Sequence, residues 1–330
     1  MKKRVIFGVI ISIIVLFFLL NSIDYTQSAT TIMNFGLLSF LIGVLIYSSS
    51  FFFRSLRWQL IVHPIKTISF TTSFYIIFIS YFCNSILPAR IGDLIRGSLL
   101  TLTEDIKFFT SISTVVFDRT LDGVTLALLF CVSLLVTGKD FQLDPKLYFC
   151  ILLIISLFLI LLVIYILDFS AIVKLLSPLQ KISPKYSKIL IDSILNFHSG
   201  GEVLKLGKIA IFKLFIFSIC VWTCEASLFY FVLYNIGIVI PISVLFILLA
   251  IVNFAIMIPS APGYIGTFET AFVLVLVLYG ANSGLALSGA LIVHIIWFFT
   301  TIVFGLISMK CLGVSMHQLI DKLKNVQEEK

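Results

Sequence analysis

Phe70–Leu87, FTTSFYIIFISYFCNSIL, is an apolar run that passes without pause into Pro88-Ala89-Arg90-Ile91-Gly92-Asp93-Leu94-Ile95-Arg96. The first part reads as a membrane helix, and the second cannot be its lipid-facing continuation. Pro removes a backbone donor and breaks the helix, and irregular backbone survives at membrane depth only where protein or a wet cavity surrounds it. The same event recurs downstream. Ile242–Ile258 runs into Pro259-Ser260-Ala261-Pro262-Gly263-Tyr264-Ile265-Gly266 and resumes as a short apolar piece, Ala271–Tyr279. Both stretches predict broken or re-entrant helical hairpins facing an interior.

Around them the chain is almost all membrane. Of 330 residues, 60% are hydrophobic and 12% charged, against about 25% charged in soluble domains. The mean hydropathy is +1.16. Such a chain has too few charges to cover a water-facing surface. A helix needs about 20 apolar residues to cross the hydrocarbon core. Six runs qualify as full spans: Val5–Leu20, Phe35–Phe53, Phe109–Val136, Tyr148–Leu167, Ile209–Tyr234 and Leu285–Met309. The first follows Lys2, Lys3 and Arg4 but offers no small-residue cleavage site, so it reads as a retained signal anchor. The second is read as ending at an interface marked by Arg54, Arg57 and Trp58. The expected fold is therefore an all-α polytopic membrane protein, one domain over 1–330, with six spans and two re-entrant hairpins.

Lys and Arg in short loops set the orientation. They mark the N-terminus, the segment with Arg54, Arg57 and Lys66, the connection after Leu167 and the tail from Lys310. The connectors 21–34, 235–241 and 280–284 carry none. The first set is expected in the cytoplasm, with both termini, and the second outside an inner membrane, together with the charge-balanced loop Gly138–Lys146. The net charge of +7 is then topological and implies no nucleic-acid partner. The connection 168–208 mixes apolar residues with Lys at helical spacing over Ala171–Leu179 and Tyr186–Val203, which predicts amphipathic cytoplasmic helices; the tail 310–330 reads alike. On this orientation the two hairpins dip from opposite sides. They share a spelling, Pro88-x-x-x-Gly92 then Asp93 and Pro262-x-x-x-Gly266 then Glu269. Opposed, interrupted hairpins are what an inverted repeat gives, and such repeats meet at midplane substrate sites in many transporters.

Asn84-Ser-Ile-Leu-Pro-Ala-Arg-Ile-Gly-Asp-Leu-Ile-Arg96, Phe117-Asp-Arg-Thr-Leu-Asp122 and Ile258-Pro-Ser-Ala-Pro-Gly-Tyr-Ile-Gly-Thr-Phe-Glu269 also stand in the order and spacing of a known family. Across essentially the whole chain, the sequence resembles the flippase-like membrane domain of lysylphosphatidylglycerol synthases. Asp93 and Asp118 stand where that family more often has Glu. The resemblance implies movement of an anionic or polyprenyl-phosphate-linked lipid between leaflets. It also implies a separate glycosyltransferase or aminoacyltransferase as partner, because the soluble aminoacyltransferase domain is not expected in the roughly 20 residues after the last span.

Charges inside a membrane cost about 2.5–3.5 kcal/mol each on insertion scales and are kept for a reason. Arg90, Asp93 and Arg96 fall near one helical face, where two guanidiniums held by Asp93 would fork onto a lipid phosphate; an internal Arg–Asp–Arg bridge is the structural alternative. Gly263 and Gly266 permit a tight turn, and a half-helix starting near Thr267 would aim free N–H groups at the same phosphate. Glu269 in its first turn suits the helix dipole but competes with an anion. Asp118, Arg119 and Asp122 read as a clamp between their span and the first hairpin. Glu225, with no basic neighbour on its helix, reads as a proton site or as the counter-charge of Arg119. These residues give three cations against five acids. The scattered His63, His198, His294 and His317, and the six Cys, suggest no metal site or disulfide framework. Gly201–Lys208 misses the spacing of a phosphate loop. No cofactor is expected. Two rival classes stay open from the residues alone: a membrane-embedded lipid or glycosyl transferase with Asp118, Asp122 or Glu269 as base, and a non-catalytic partner of a lipid-modifying enzyme.

Overall fold

The computed structural model describes residues 25–87, 90–138, 145–166, 199–257, 261–316 and 318. The expected Val5–Leu20 anchor, most of the 168–208 connection and the end of the tail lie outside them. The described part is helical: α1 Tyr25–Asn34, α2 Leu37–Val62, α3 Phe70–Ile86, α4 Ile91–Glu104, α5 Phe108–Thr137, α6 Pro145–Ile166, a 3-10 turn Ser199–Leu206, α7 Lys208–Asn235, α8 Ile242–Ala255, α9 Thr267–Leu278 and α10 Ser283–Leu312. Four helices, α2, α5, α7 and α10, are long and apolar enough to cross a membrane, and the chain is a multi-pass membrane protein.

Length separates two kinds of helix. The four long ones have 26, 30, 28 and 30 residues, about 40–45 Å at 1.5 Å per residue, more than the ~30 Å hydrocarbon core. The arms α3, α4, α8 and α9 have 17, 14, 14 and 12 residues, which at about 18–26 Å stop short of that thickness. Each pair folds back on itself. Gly92 lets α4 approach α3 so closely that a Cβ there would lie 2.0 Å from the Ser80 carbonyl oxygen. The first hairpin begins and ends on one face, where Lys66 Nζ donates to the Glu104 carbonyl at 2.6 Å and pairs with its carboxylate at 3.3 Å.

The second span differs from expectation. α2 does not stop at Phe53 but continues to Val62, and Arg54 and Arg57 lie inside the protein at 3% and 0% exposure. Both guanidiniums meet carboxylates of other helices, so they need no interface; only Lys66 remains as the basic mark of that end. The connection before α7 also departs from a surface helix at its described end: Val203 in the 3-10 turn is fully buried, and the turn packs on α5.

The two halves, α2–α5 and α7–α10, repeat one plan. Long helices frame a broken hairpin in each, and the packing is reciprocal: α3 lies along α10, α8 along α5, α4 on α5, α9 on α10, and α2 on α7. α2 and α7 run antiparallel, since Arg54 meets Glu225 and Arg57 meets Ser218. With α6 between them, the second half is the first turned over. The hairpin tips meet beside the middle of α10: Ser85 Oγ shares a hydrogen bond with Thr301 at 3.0 Å, and a Cβ on Gly263 would lie 2.1 Å from the Phe298 ring and 3.0 Å from the Ser85 carbonyl.

Candidate functional site

The repeat places the sequence motifs differently from their spelling. In both hairpins the residue before the second arm has a positive φ: Arg90 at 53° and Gly266 at 91°. The third residue of that arm is the acid, Asp93 or Glu269. Arg90 therefore corresponds to Gly266 and Asp93 to Glu269, two positions away from the Gly92–Gly266 match. The partners correspond as well. Asp93 faces Arg119 at 3.2 Å, and Glu269 binds His294; Arg119 and His294 each stand twelfth in a helix of 30 residues.

The first half gathers a buried ion-pair network. Arg57 Nε donates to Asp118 Oδ1 at 2.8 Å and Nη2 to Asp122 Oδ1 at 2.7 Å. Arg96 Nη1 donates to Asp118 Oδ2 at 2.8 Å, with its guanidinium 4.1 Å from the Trp58 ring centre. Arg119 Nη1 donates to Asp122 Oδ2 and to the Tyr81 hydroxyl, both at 3.0 Å. Arg54 Nη2 donates to Glu225 at 2.5 Å and lies between the rings of Tyr81 and Trp222. The i, i+4 spacing of Asp118 and Asp122 puts both on the α5 face that meets Arg57. Charges buried this deeply persist only when paired and hydrogen-bonded. Four arginines, 54, 57, 96 and 119, thus balance four carboxylates, 93, 118, 122 and 225.

Arg90 stands outside that balance. It pairs with no carboxylate among the described residues; its guanidinium lies 5.6 Å from the centre of the Tyr264 ring, across the hairpin seam. A left-handed conformation costs a residue with a Cβ about 1–2 kcal/mol, and the matching position in the second half is glycine. Arg90 borders a cavity of about 70 Å³ between the hairpin tips, with room for several waters or one tetrahedral anion. Arg54, Arg90 and Arg119 line it with Asp93, Asp122 and Glu225, walled by Tyr47, Tyr81, Trp222, Tyr264 and Trp297. Around it Arg54 Nε, Arg90 Nε, Arg119 Nε, Trp222 Nε1 and Trp297 Nε1 have no acceptor among the described residues, whereas Asn84 Oδ1 is the unmet acceptor apart from Asp93 Oδ1, which faces Arg119. The surplus is of donors.

Several candidate residues fall elsewhere. Arg96, 1% exposed, points at Asp118 and does not line the cavity. Asp93 faces Arg119, so it does not hold Arg90 and Arg96 together. Glu225 faces Arg54, so it is not the counter-charge of Arg119. Gly266 N–H donates to Glu269 Oε2 at 2.7 Å and is not free for an anion. The Gly263 carbonyl accepts from His294 Nε2 at 2.8 Å, so Gly263 shapes the turn and leaves Tyr264 to face the cavity. Arg54, Arg57 and His294 were not expected here. For the two arginines the signal is the excess of two acids on the spans, which calls for cations from elsewhere; His294 carries no such signal.

At two matching positions the second half carries a ring in place of a charge. Trp297 stands fifteenth in α10 as Asp122 does in α5, and Phe272 stands sixth in α9 as Arg96 does in α4. Phe229, Phe268, Phe272 and Trp297 pack together. The cavity takes lining from both halves: Arg54, Arg90 and Arg119 from the first, and Trp297 with the paired Glu225 from the second.

This chain is 26% identical over 231 residues to a UPF0104 membrane protein of Methanocaldococcus jannaschii, covering 68% of this chain and 92% of the relative. It matches the lysylphosphatidylglycerol synthase TM region over residues 5–305, nearly all of the helical domain. The chain belongs to the lysylphosphatidylglycerol synthase transmembrane-region family.

Proposed function

We propose that this protein moves a lipid phosphate headgroup, of an anionic phospholipid or a polyprenyl-phosphate-linked sugar, between membrane leaflets. The observation that carries this reading is Arg90: a strained, half-buried cation with no carboxylate partner among the described residues, at the edge of a small cavity where donors outnumber acceptors. A phosphate supplies what the cavity lacks, negative charge and several acceptor oxygens. Arg54 and Arg119 are anchored in ion pairs and give the cavity a fixed field, while the hairpin tips are the inverted-repeat junction where transporters of this architecture bind their cargo. A glycosyltransferase or aminoacyltransferase acting on the same lipid is the fitting partner, and a cytoplasmic membrane with Lys66 inside is the fitting location.

The test is leaflet exchange in proteoliposomes carrying a fluorescent phosphatidylglycerol, and separately a labelled polyprenyl phosphate. Arg90→Gln should slow exchange about tenfold or more, the worth of one charged hydrogen bond. Arg90→Lys should recover only part, because an ammonium cannot fork onto two oxygens. Protein yield should hold for both, since Arg90 supports no ion pair among the described residues. Undiminished exchange by Arg90→Gln, or no exchange of either lipid by the native protein, overturns the reading.

A further inference from the structure

The second hairpin is fastened by a pair whose geometry admits only one proton count. His294 on α10 faces the Gly263 carbonyl through Nε2, at 2.8 Å, and Glu269 through Nδ1. A carbonyl oxygen only accepts, so Nε2 carries a hydrogen. Nδ1 and the Glu269 carboxylate then share a line with room for one proton, borne either by the imidazolium or by the carboxylic acid. Without that proton, the Nδ1 lone pair would face a carboxylate lone pair, and the contact becomes repulsive. We infer that Glu269 and His294 form a proton-binding site that latches the turn Pro262–Gly266 to α10 when protonated and releases it when not.

The first half shows what the second has changed. Arg119 occupies the place of His294 and Asp93 that of Glu269, and a guanidinium keeps its proton at any working pH, whereas an imidazole–carboxylate pair can give one up. One hairpin is thus pinned permanently and the other conditionally. Among the described residues the rest of the site is neutral. The rings of Phe268 and Phe298 flank His294; the Gly266 N–H takes the second oxygen of Glu269. Among the neighbouring elements, α3 brings Ser85, whose carbonyl lies against Gly263, α2 brings Tyr47 against Trp297, and α7 brings Glu225, already bound by Arg54. Charge reaches the turn through Tyr264, which lies beside both the latch and Arg90. Release of the turn therefore moves a wall of the cavity.

The latch is independent of the transport reading, because its test follows the hairpin and not a lipid. Hydrogen exchange of the purified protein in nanodiscs, corrected for intrinsic rates, should show peptide 261–270 protected near pH 5. Protection should fall about tenfold or more by pH 9, while peptide 90–97 of the first hairpin stays level. Glu269→Gln replaces the shared proton with an amide hydrogen that donates to Nδ1, so its protection should stay high throughout. A level profile for the native protein, or a Glu269→Gln profile that still falls with pH, overturns the latch. If Glu269→Gln fails to fold, the native comparison between the two peptides decides alone.

Discussion

Glu225 and Arg54 show how a charge can be intramembrane and still be structural. Each is almost fully buried, and Arg54's other carboxylate, Asp122, is farther away at 3.4 Å. Glu225→Gln should therefore leave a buried cation poorly met and destabilise the protein by about 3–5 kcal/mol, measured by unfolding in mixed micelles. Replacing both residues with Leu should restore most of that loss, because an apolar pair needs no desolvation. A Glu225→Gln protein as stable as the native one would show that Arg54 finds enough in Asp122 and the rings of Tyr81 and Trp222. The sequence already held the clue to this pair. Three cations against five acids left two charges missing, and Arg54 and Arg57 are those two. Their place after an apolar run points to an interface, because basic residues there usually mark one. Pairing between helices far apart in sequence is the information that loop-charge counting lacks.

The hairpins depend on close backbone approach, and glycine decides it. An added methyl at Gly92 meets the Ser80 backbone carbonyl, which cannot rotate aside, whereas one at Gly43 meets the side-chain ends of Ile296 and Leu228. Gly92→Ala should cost at least the 1–3 kcal/mol typical of overpacking, seen as a lowered thermal midpoint in detergent, and Gly43→Ala clearly less. Equal losses would mean the arms are held apart by something other than that glycine. The existence and breaks of both hairpins were readable from Pro88, Pro259 and Pro262, because proline acts locally. The register between them was not. Spelling matched Gly92 to Gly266, but backbone conformation matches Arg90 to Gly266, and only the fold reveals that one half keeps a side chain where the other dispenses with it.

At the level of the molecule, two inverted halves put the connectors on opposite faces. Cysteine placed at Lys66 and at Val239, in a background without native cysteines, should be labelled by an impermeant reagent from opposite sides of the membrane, with Lys66 reached from the cytoplasm. Labelling of both from one side would remove the inversion. The overall class was legible from hydropathy, which depends on composition alone; the reciprocal packing of each hairpin on the other half's last helix was not, because it joins residues more than a hundred positions apart, as Phe78 and Phe304 or Phe130 and Phe254 do. The Arg54–Glu225 pair has one more implication. Both residues stand eighteenth in their helices, α2 and α7, so the pair straddles the line that relates the halves. Two identical chains assembled about that line would set arginine against arginine, or glutamate against glutamate. The attraction seen here exists only between unlike halves. Expressed as separate polypeptides, the halves should prefer each other over themselves, and a single covalent chain guarantees that each finds its complement.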